Sequence, residues 1–498
     1  MLGVTGLCRA AALLLTAGSI AVAQPTAPPA PTHTPAPLGT EEAFRFLHQR
    51  WTGDLDALLA REIRVIRVLT AYSKTGYFLD GIAQKGVNAD AFRDFETWIN
   101  ERMKTTNANR IHVVMIPVSR DELIQGLIDG RGDLASANLT ITPERRKLVD
   151  FSVPELDGVA EIAVTSKKGP KLESPEDLSG KDVHVRTSSS FHESLKLLNE
   201  RLARAGKPPV RIVAADEFLE TEDLLEMVNA ELIPITIADN HIAMFWAQVL
   251  RNIQPQAGAA IRSGGQIGVA LRKGSPKLKA AIDDFVRSHR AGTEYGNSLL
   301  KKYLKKTHFV RNVASREAMQ RFQNTISLFR KYAGQYGFDS LMVAAQGYQE
   351  SRLDQSSKSP RGAIGVMQVL PDTGKDMGVA DIENVDGNIK AGIRYLRRIY
   401  DNYFAKAPMS EVDKGLFCFA AYNAGPARVA QIRQKAEKMG LDPNKWFRNV
   451  EIAAAREIGR ETVQYVSNIY KYYISYRLVL EQQEKKKPVP GMVSPRKP

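Results

Sequence analysis

The hydrophobic period of this 498-residue chain changes once along its length, and that change constrains the fold more than any other feature. From Ile63 to about Lys273, apolar runs of strand length alternate with amphipathic stretches. The runs are "IRVIRVLT", "IHVVMIPV", "AEIAVTS", "DVHVRTS", "VRIVAA" and "ELIPITIAD"; the amphipathic stretches include "ADAFRDFETWINERM" and "RDELIQGLIDG". Beyond about Tyr303 the apolar spacing is helical throughout, as in "SREAMQRFQNTISLFRKYAGQYG" and "RETVQYVSNIYKYYISYRLVL". Side chains repeat every second residue on a strand and about every 3.6 on a helix, so the two halves cannot share one architecture. The length also exceeds what one ordinary core supports. The expected fold class is therefore multidomain, an α/β domain over 45–305 followed by an all-helical domain over 320–484. Strand–helix alternation predicts mainly parallel sheets. A second strand set begins near Val159, and "GGQIGVALRKGSPKLKAAIDDFVRSH" reads as a return, so the α/β part is expected to cross between two lobes twice.

The ends carry other signals. After Arg9, "AAALLLTAGSIAVA" is too short to span a bilayer and ends in Ala21-Val22-Ala23, the pattern of a secretory signal over 1–23. "QPTAPPAPTHTPAPL" opens a Pro-rich linker over 24–44, a short helical stretch is expected around Glu41–Arg61, and the basic, Pro-rich 485–498 reads as a disordered tail. Cys8 falls in the signal, which leaves Cys418 as a single thiol in an apolar helical run, expected to be packed. No cysteine stands at a lipid-attachment position, and no later segment is long and apolar enough to span a membrane. A composition of 43% hydrophobic and 25% charged residues fits a soluble globular protein. The formal charge of +14 calls for an anionic neighbour, and charge alone leaves nucleic acid, a phospholipid surface and an acidic wall polymer open. No nucleic-acid motif accompanies it. The eight histidines show no metal-ligand spacing, and no G-x-S-x-G or phosphate-loop pattern is present, so no metal or cofactor is expected.

The stretch "GYQESRLDQSSKSPRGAIGVMQVLPDTG", residues 347–374, holds one carboxylate of special interest, Glu350. Phe338, Leu341, Met342 and Ala345 have the spacing of one helix face, which puts Glu350 near that helix's C-terminal end. There the helix dipole and partial burial both favour a protonated Glu, the state a general acid needs. The stretch resembles the signature of the soluble lytic transglycosylase (SLT) domain of lysozyme-like murein enzymes. The resemblance continues in order through "AGIRYL", "AYNAG" at 421–425 and "RETVQYVSNI" at 460–469, with Val366 and Val369-Leu370 as conservative departures. It implies a lysozyme-like helical fold and peptidoglycan glycan strands as substrate. It also implies Glu350 as the catalytic acid/base that cleaves between N-acetylmuramic acid and N-acetylglucosamine. In that chemistry the substrate's own 6-hydroxyl traps the glycosyl cation, so a lone Glu suffices. The same resemblance assigns Ser359 to the acetamido group, Gln368, Tyr422 and Asn423 to the cleft, and Tyr465 to the reacting sugar or Glu350, while Met367 reads as groove lining or core.

Upstream, "GLIDGRGDLASANLTITPERRKLVDFSVP" at 126–154 resembles the family 3 periplasmic solute-binding proteins, whose fold is two α/β lobes closing on a ligand. Lobe one is then expected from about Ile63 to Val153 and lobe two from about Val159 to Arg251. The resemblance implies Arg145 for a ligand carboxylate, a role that suits a guanidinium fork, and Asp239 in "ITIADNH" for an amino group. Asn138, Thr140 and Ser188 of "RTSSS" are further candidates, and the implied ligand is a muropeptide or an amino-acid-like molecule. Together the modules imply an exported, periplasmic enzyme with peripheral outer-membrane contact, regulated by its binding domain. Two alternatives stay open. A hydrolytic muramidase would need a second carboxylate, for which Asp354 and Asp372 are nearest in sequence. A non-catalytic solute or wall receptor would leave Glu350 unused.

Overall fold

The computed structural model describes residues 49–61, 64–80, 83–304 and 316–486. The expected signal over 1–23, the linker over 24–44 and the tail beyond residue 486 lie outside them. Of the helical stretch expected around Glu41–Arg61, the described helix is Leu55–Leu59, started by Asp54, whose carboxylate accepts from Leu55 N at 2.7 Å.

The described strands, in chain order, are β1 Val65–Thr70, β2 Phe78–Asp80, β3 Ala83–Lys85, β4 His112–Pro117, β5 Leu134–Ala135, β6 Asp150–Phe151, β7 Leu156–Ser166, β8 Asp182–Arg186, β9 Arg211–Ala215, β10 Ile235–Asp239, β11 Ile253–Ile267 and β12 Ala270–Leu271. Lobe one is built on the sheet β4-β1-β5-β12-β6, lobe two on β11-β7-β10-β8-β9, and β2 and β3 form a separate two-stranded antiparallel sheet. Central β1 is buried along nearly its whole length because helices cover both faces. The sheets are mixed, contrary to the expectation of mainly parallel pairing. β1 runs parallel to β4 and β5, and β8 to β9 and β10, but β12, β7 and β11 pair antiparallel. Those three lie next to the crossings between lobes, where no helical crossover intervenes to restore parallel direction.

Lobe two also ends later than Arg251. The chain stays in it through β11 to Ile267 and returns at Gly268. β11, "IQPQAGAAIRSGGQI", escaped the sequence reading because repeated register shifts against β7 break its alternation. The two crossings run side by side: Ser152 N donates to Val269 O and Glu155 N to Ile267 O, both at 2.8 Å. Gly268 packs so closely that an added Cβ would meet Ile141 and Ser152 within 3.1–3.3 Å.

The helical domain comprises Arg316–Tyr336, Ser340–Ser351, Pro371–Asp376, Val385–Ile399, Glu411–Ala424, Pro426–Lys438, Glu451–Glu457 and Arg460–Lys486. Its core joins Phe322 stacked on Tyr476 at 4.0 Å to Phe417 edge-on to Trp446 at 5.5 Å, with Cys418 a buried free thiol. The helix Ser340–Ser351 buries every residue from Leu341 to Tyr348, so it is surrounded on all sides and not packed by the single face its spacing suggested.

The last helix, Arg460–Lys486, touches both lobes. Arg460 donates to the Tyr77 hydroxyl at 2.6 Å and Gln464 accepts from Leu79 N at 2.9 Å, both in lobe one. In lobe two, Lys471 lies 3.3 Å from Asp223, Tyr470 donates to Asp216 at 3.4 Å, and Ile474 and Leu478 pack on the core. Among the described residues no helix is long and apolar enough to cross a membrane.

Candidate active site

The Glu350 helix begins where Asp339 accepts from Leu341 N at 2.8 Å and Met342 N at 3.2 Å. It ends where Arg352 and Leu353 turn left-handed, with φ of 61° and 59°, which leaves Glu350 in the final turn. Gly347 lets the following loop approach this helix. A Cβ there would meet Phe329, Leu353 and Val366 at 3.0–3.2 Å. The loop itself is pinned from below by buried Asn388, which accepts from Met367 N at 2.8 Å and donates to Ile364 O at 2.8 Å and Ile382 O at 3.0 Å. Ser351 adds a bond to Val366 O at 2.9 Å.

Glu350 is half-buried, and its Oε1 accepts from the Tyr465 hydroxyl at 2.5 Å. Burial and then the Glu350 charge hold the Tyr465 phenol far above its ordinary range, so it stays a donor. The Tyr422 phenol is raised likewise, by burial first and Glu350 second. Its own proton goes to Met367 O at 2.7 Å, and its ring packs against Tyr395 at 5.3 Å. The tertiary fold thus brings together Glu350, Tyr422 and Tyr465 from three distant helices. A carboxyl that accepts from one neutral phenol, with a second raised phenol close enough to feel its charge, can give and take back one proton.

The remaining sequence candidates lie as follows. Asn423 is exposed beside Tyr422 and accepts from Thr462 at 2.7 Å. Ser359 is half-buried and accepts from Ala363 N at 3.0 Å, which leaves its hydroxyl proton for another partner. Gln368, at the positive φ of 47°, spends its amide on Ser357 O at 3.2 Å and Gly365 O at 2.9 Å. Met367 is 0% exposed and packs against Gly392. What it offers the groove is its backbone carbonyl, which holds Tyr422 in place.

In the α/β domain, Asn138, Thr140, Arg145, Ser188 and Asp239 all line one cavity of about 200 Å³ between the lobes. Arg145 donates across it to Ser188 O at 3.1 Å and to Thr140 O at 3.0 Å. Asn138, held at φ 53°, donates to Asp239 Oδ2 at 2.7 Å and pairs with His241 at 3.1 Å. Asp239 is 3% exposed, and its Oδ1 has no hydrogen-bond partner among the described residues. Burial, with the Glu161 charge adding to it, pushes the Asp239 carboxyl up to about 7. Ser188 is committed to Glu217 through both its N–H and its hydroxyl.

Sequence reading missed Gln346, Asn388, Arg120 and Glu193. Arg120 bridges the lobes to Glu220 at 2.8 Å, and Glu193 lines the cavity with one buried carboxylate oxygen that has no hydrogen-bond partner among the described residues. Gln346 alone carried a visible signal, as a long polar side chain inside the apolar run "LMVAAQGY".

The chain matches the Transglycosylase SLT domain family over residues 327–446 and the Bacterial extracellular solute-binding proteins, family 3, over residues 70–306. It is similar to the membrane-bound lytic murein transglycosylase F of Desulfosudis oleivorans, with 30% identity covering 71% of this chain and 79% of that protein. The protein of the same name from Stutzerimonas stutzeri is 28% identical over 83% of this chain and 85% of its own length. Among solved structures, an ancestral arginine-binding protein bound to arginine aligns with 49% of this chain and 99% of its own, at 22% identity and a TM-score of 0.39. A solute-binding α/β domain followed by a helical SLT domain, and a relative 30% identical over 71% of this chain and 79% of its own length, establish that the chain belongs to the membrane-bound lytic murein transglycosylase F family and is a glycosidic-bond lyase.

Proposed function

We propose that the chain cleaves the β-1,4 bond between N-acetylmuramic acid and N-acetylglucosamine in peptidoglycan without water, using Glu350 as its only acid/base. Glu350 gives its proton to the bridging oxygen as the bond from muramyl C1 to that oxygen breaks. The muramyl 6-hydroxyl closes on C1, and its proton passes to the Glu350 carboxylate. A 1,6-anhydro end results, the acid is restored, and neither water nor a protein nucleophile is consumed. The observation that carries this reading is Glu350 held by Tyr465 at 2.5 Å in a site whose other candidate groups are neutral. Hydrolysis would require a second carboxylate across the cleft. Asp354 is instead engaged with Ser356 N at 3.0 Å and the Ser356 hydroxyl at 2.7 Å, and Asp372 is exposed on the short helix Pro371–Asp376.

Mass spectrometry of fragments released from purified sacculi tests the chemistry. Anhydro-muramyl ends are expected, with none from Glu350→Gln. Reducing muramyl ends would favour hydrolysis, and wild-type release by Glu350→Gln would remove Glu350 from the reaction and reopen the reading of an inert receptor.

The α/β lobes, in the same proposal, sense a muropeptide or amino-acid-like ligand, with its carboxylate at Arg145 and its ammonium at Asp239. The cavity, and an Asp239 Oδ1 without a hydrogen-bond partner among the described residues, supply the reason. The helix Arg460–Lys486 touches both lobes and carries Tyr465, so a change of lobe geometry has a physical route to Glu350. Calorimetric titration with amino acids and muropeptides, paired with turnover assays, tests this. Binding with no change in turnover ends the regulatory reading. The charge of +14 suits work on an anionic wall in the periplasm, next to the membrane that the family's name implies.

A further inference from the structure

Gln346 lies one helical turn before Glu350, and the reaction proposed above gives it no part. It is 0% exposed, in the stretch Leu341–Tyr348 that is buried throughout. Its Nε2 donates to the Tyr465 hydroxyl oxygen at 3.2 Å, and that hydroxyl donates onward to Glu350 Oε1 at 2.5 Å. The Gln346 carbonyl oxygen has no hydrogen-bond partner among the described residues. A buried polar atom left unpaired is destabilising, and a Met or Leu of similar volume would fill the same space without it. A costly polar group aimed at the hydroxyl that touches Glu350 points to a role in the chemistry.

The direction of the chain follows from proton counting. Tyr465 has one hydroxyl proton, and the stronger acceptor, the carboxylate, takes it. The phenol oxygen can then only accept from Gln346, which sets the amide with Nε2 inward. The amide N–H in turn disfavours rotation of the phenol proton away from Glu350. We propose that Gln346 is a positioning residue that locks the Tyr465 proton onto Glu350 Oε1, so that the proton delivered to the glycosidic oxygen is carried on Oε2. This rests on Glu350 being the acid. Without Gln346 the phenol is free to turn and accept from protonated Glu350, which sends the acid proton into the protein and away from the sugar. Donation by Gln346 also polarises the phenol, strengthens its bond to the carboxylate and favours the ionised form that recovers the proton from the 6-hydroxyl.

Gln346→Met, with Gln346→Leu as a companion should one of them fold poorly, tests the role in the full chain on soluble glycan strands. Turnover is expected to fall about 30-fold with KM changed less than about twofold, the pattern of a lost transition-state interaction. The alkaline limb of the turnover–pH profile moves up by about half a unit, because the carboxylate loses support. The melting temperature stays level or rises. Introduced into Tyr465→Phe, the same substitution produces no further loss, since Gln346 acts through that hydroxyl. Wild-type turnover with an unmoved pH limb overturns the proposal. So does a loss of rate that comes with a lower melting temperature and an unchanged profile, or an equal further loss in the Tyr465→Phe background. Failure of the acid assignment is read separately, from the activity of Glu350→Gln.

Discussion

Replacing Lys471 by Met perturbs the point where both lobes and the Tyr465 helix meet. Lys471 lies 3.3 Å from Asp223, with the two side chains 14% and 8% exposed. From lobe one, Lys74 reaches Asp223 at 2.9 Å and Glu226 at 2.7 Å, and its backbone N–H donates to Glu222 at 2.7 Å. Three carboxylates thus face two ammonium groups. Burial pushes the Asp223 carboxyl up, but Lys471 and Lys74 together outweigh it and hold it well below the usual range. Unit charges at this distance attract by about 5 kcal/mol at an effective dielectric near 20. Removing Lys471 recovers its own desolvation, and Lys74 still holds Asp223, so the expected net loss is about 2 kcal/mol. That corresponds to about a 30-fold weaker docking of the last helix on lobe two. Hydrogen exchange of peptides from residues 460–486 reads the change directly, and differential scanning calorimetry reads its share of stability. Any effect of a lobe ligand on turnover should shrink with it. A shift below about 0.5 kcal/mol, typical of an ordinary surface substitution, together with unchanged exchange, would refute the reasoning. Packing of Ile474 and Leu478 would then be what holds the helix.

Four further expectations follow from the same geometry. Burial, partly offset by Lys74, raises the Glu226 carboxyl from its ordinary 4.5 to about 7. The fold therefore binds a proton that the unfolded chain releases, and the stability this contributes, full below about pH 4.5, is lost as pH rises through about 7. The melting temperature should drop between about pH 5 and pH 8, and Glu226→Gln should flatten that drop; a rise over the same range contradicts the assignment. Asp239, raised to about 7 by burial first, must ionise to hold an ammonium group, so titration calorimetry should find tighter binding of an amino-acid-like ligand at pH 8 than at pH 6, and Asp239→Asn should abolish the difference. Gly365 sits at φ 76° with Gln355 and Asn388 within 2.5–2.6 Å of an added Cβ, so Gly365→Ala should destabilise the helical domain by about 2 kcal/mol or more in thermal unfolding and lower turnover with it. Cys418, whose thiol burial pushes up, should resist thiol reagents in the folded protein and react on unfolding.

Much of this molecule is legible in its linear order. Period-two and helical repeats are local properties, so the α/β half, the helical half and the boundary between them follow from residues near one another in the chain. The Glu350 helix and the helix end after it are local in the same sense, because Asp339, the apolar run and the left-handed turn at Arg352 are all neighbours. Short motifs name candidate residues, from Asn138 to Tyr465, by the same local property. What tertiary structure decided is whatever depends on distant segments meeting. Strand direction beside the crossings, the late return at Gly268 and the burial of Met367 depend on which segment lands next to which. The chain order contains Gln346 and Tyr465 but not the 3.2 Å between them, nor the 2.5 Å from Tyr465 to Glu350. A hydrogen bond is set by distance and direction over a few ångströms. Sequence specifies which groups are capable of one, and only packing of the Ser340–Ser351 and Arg460–Lys486 helices determines which of them is made.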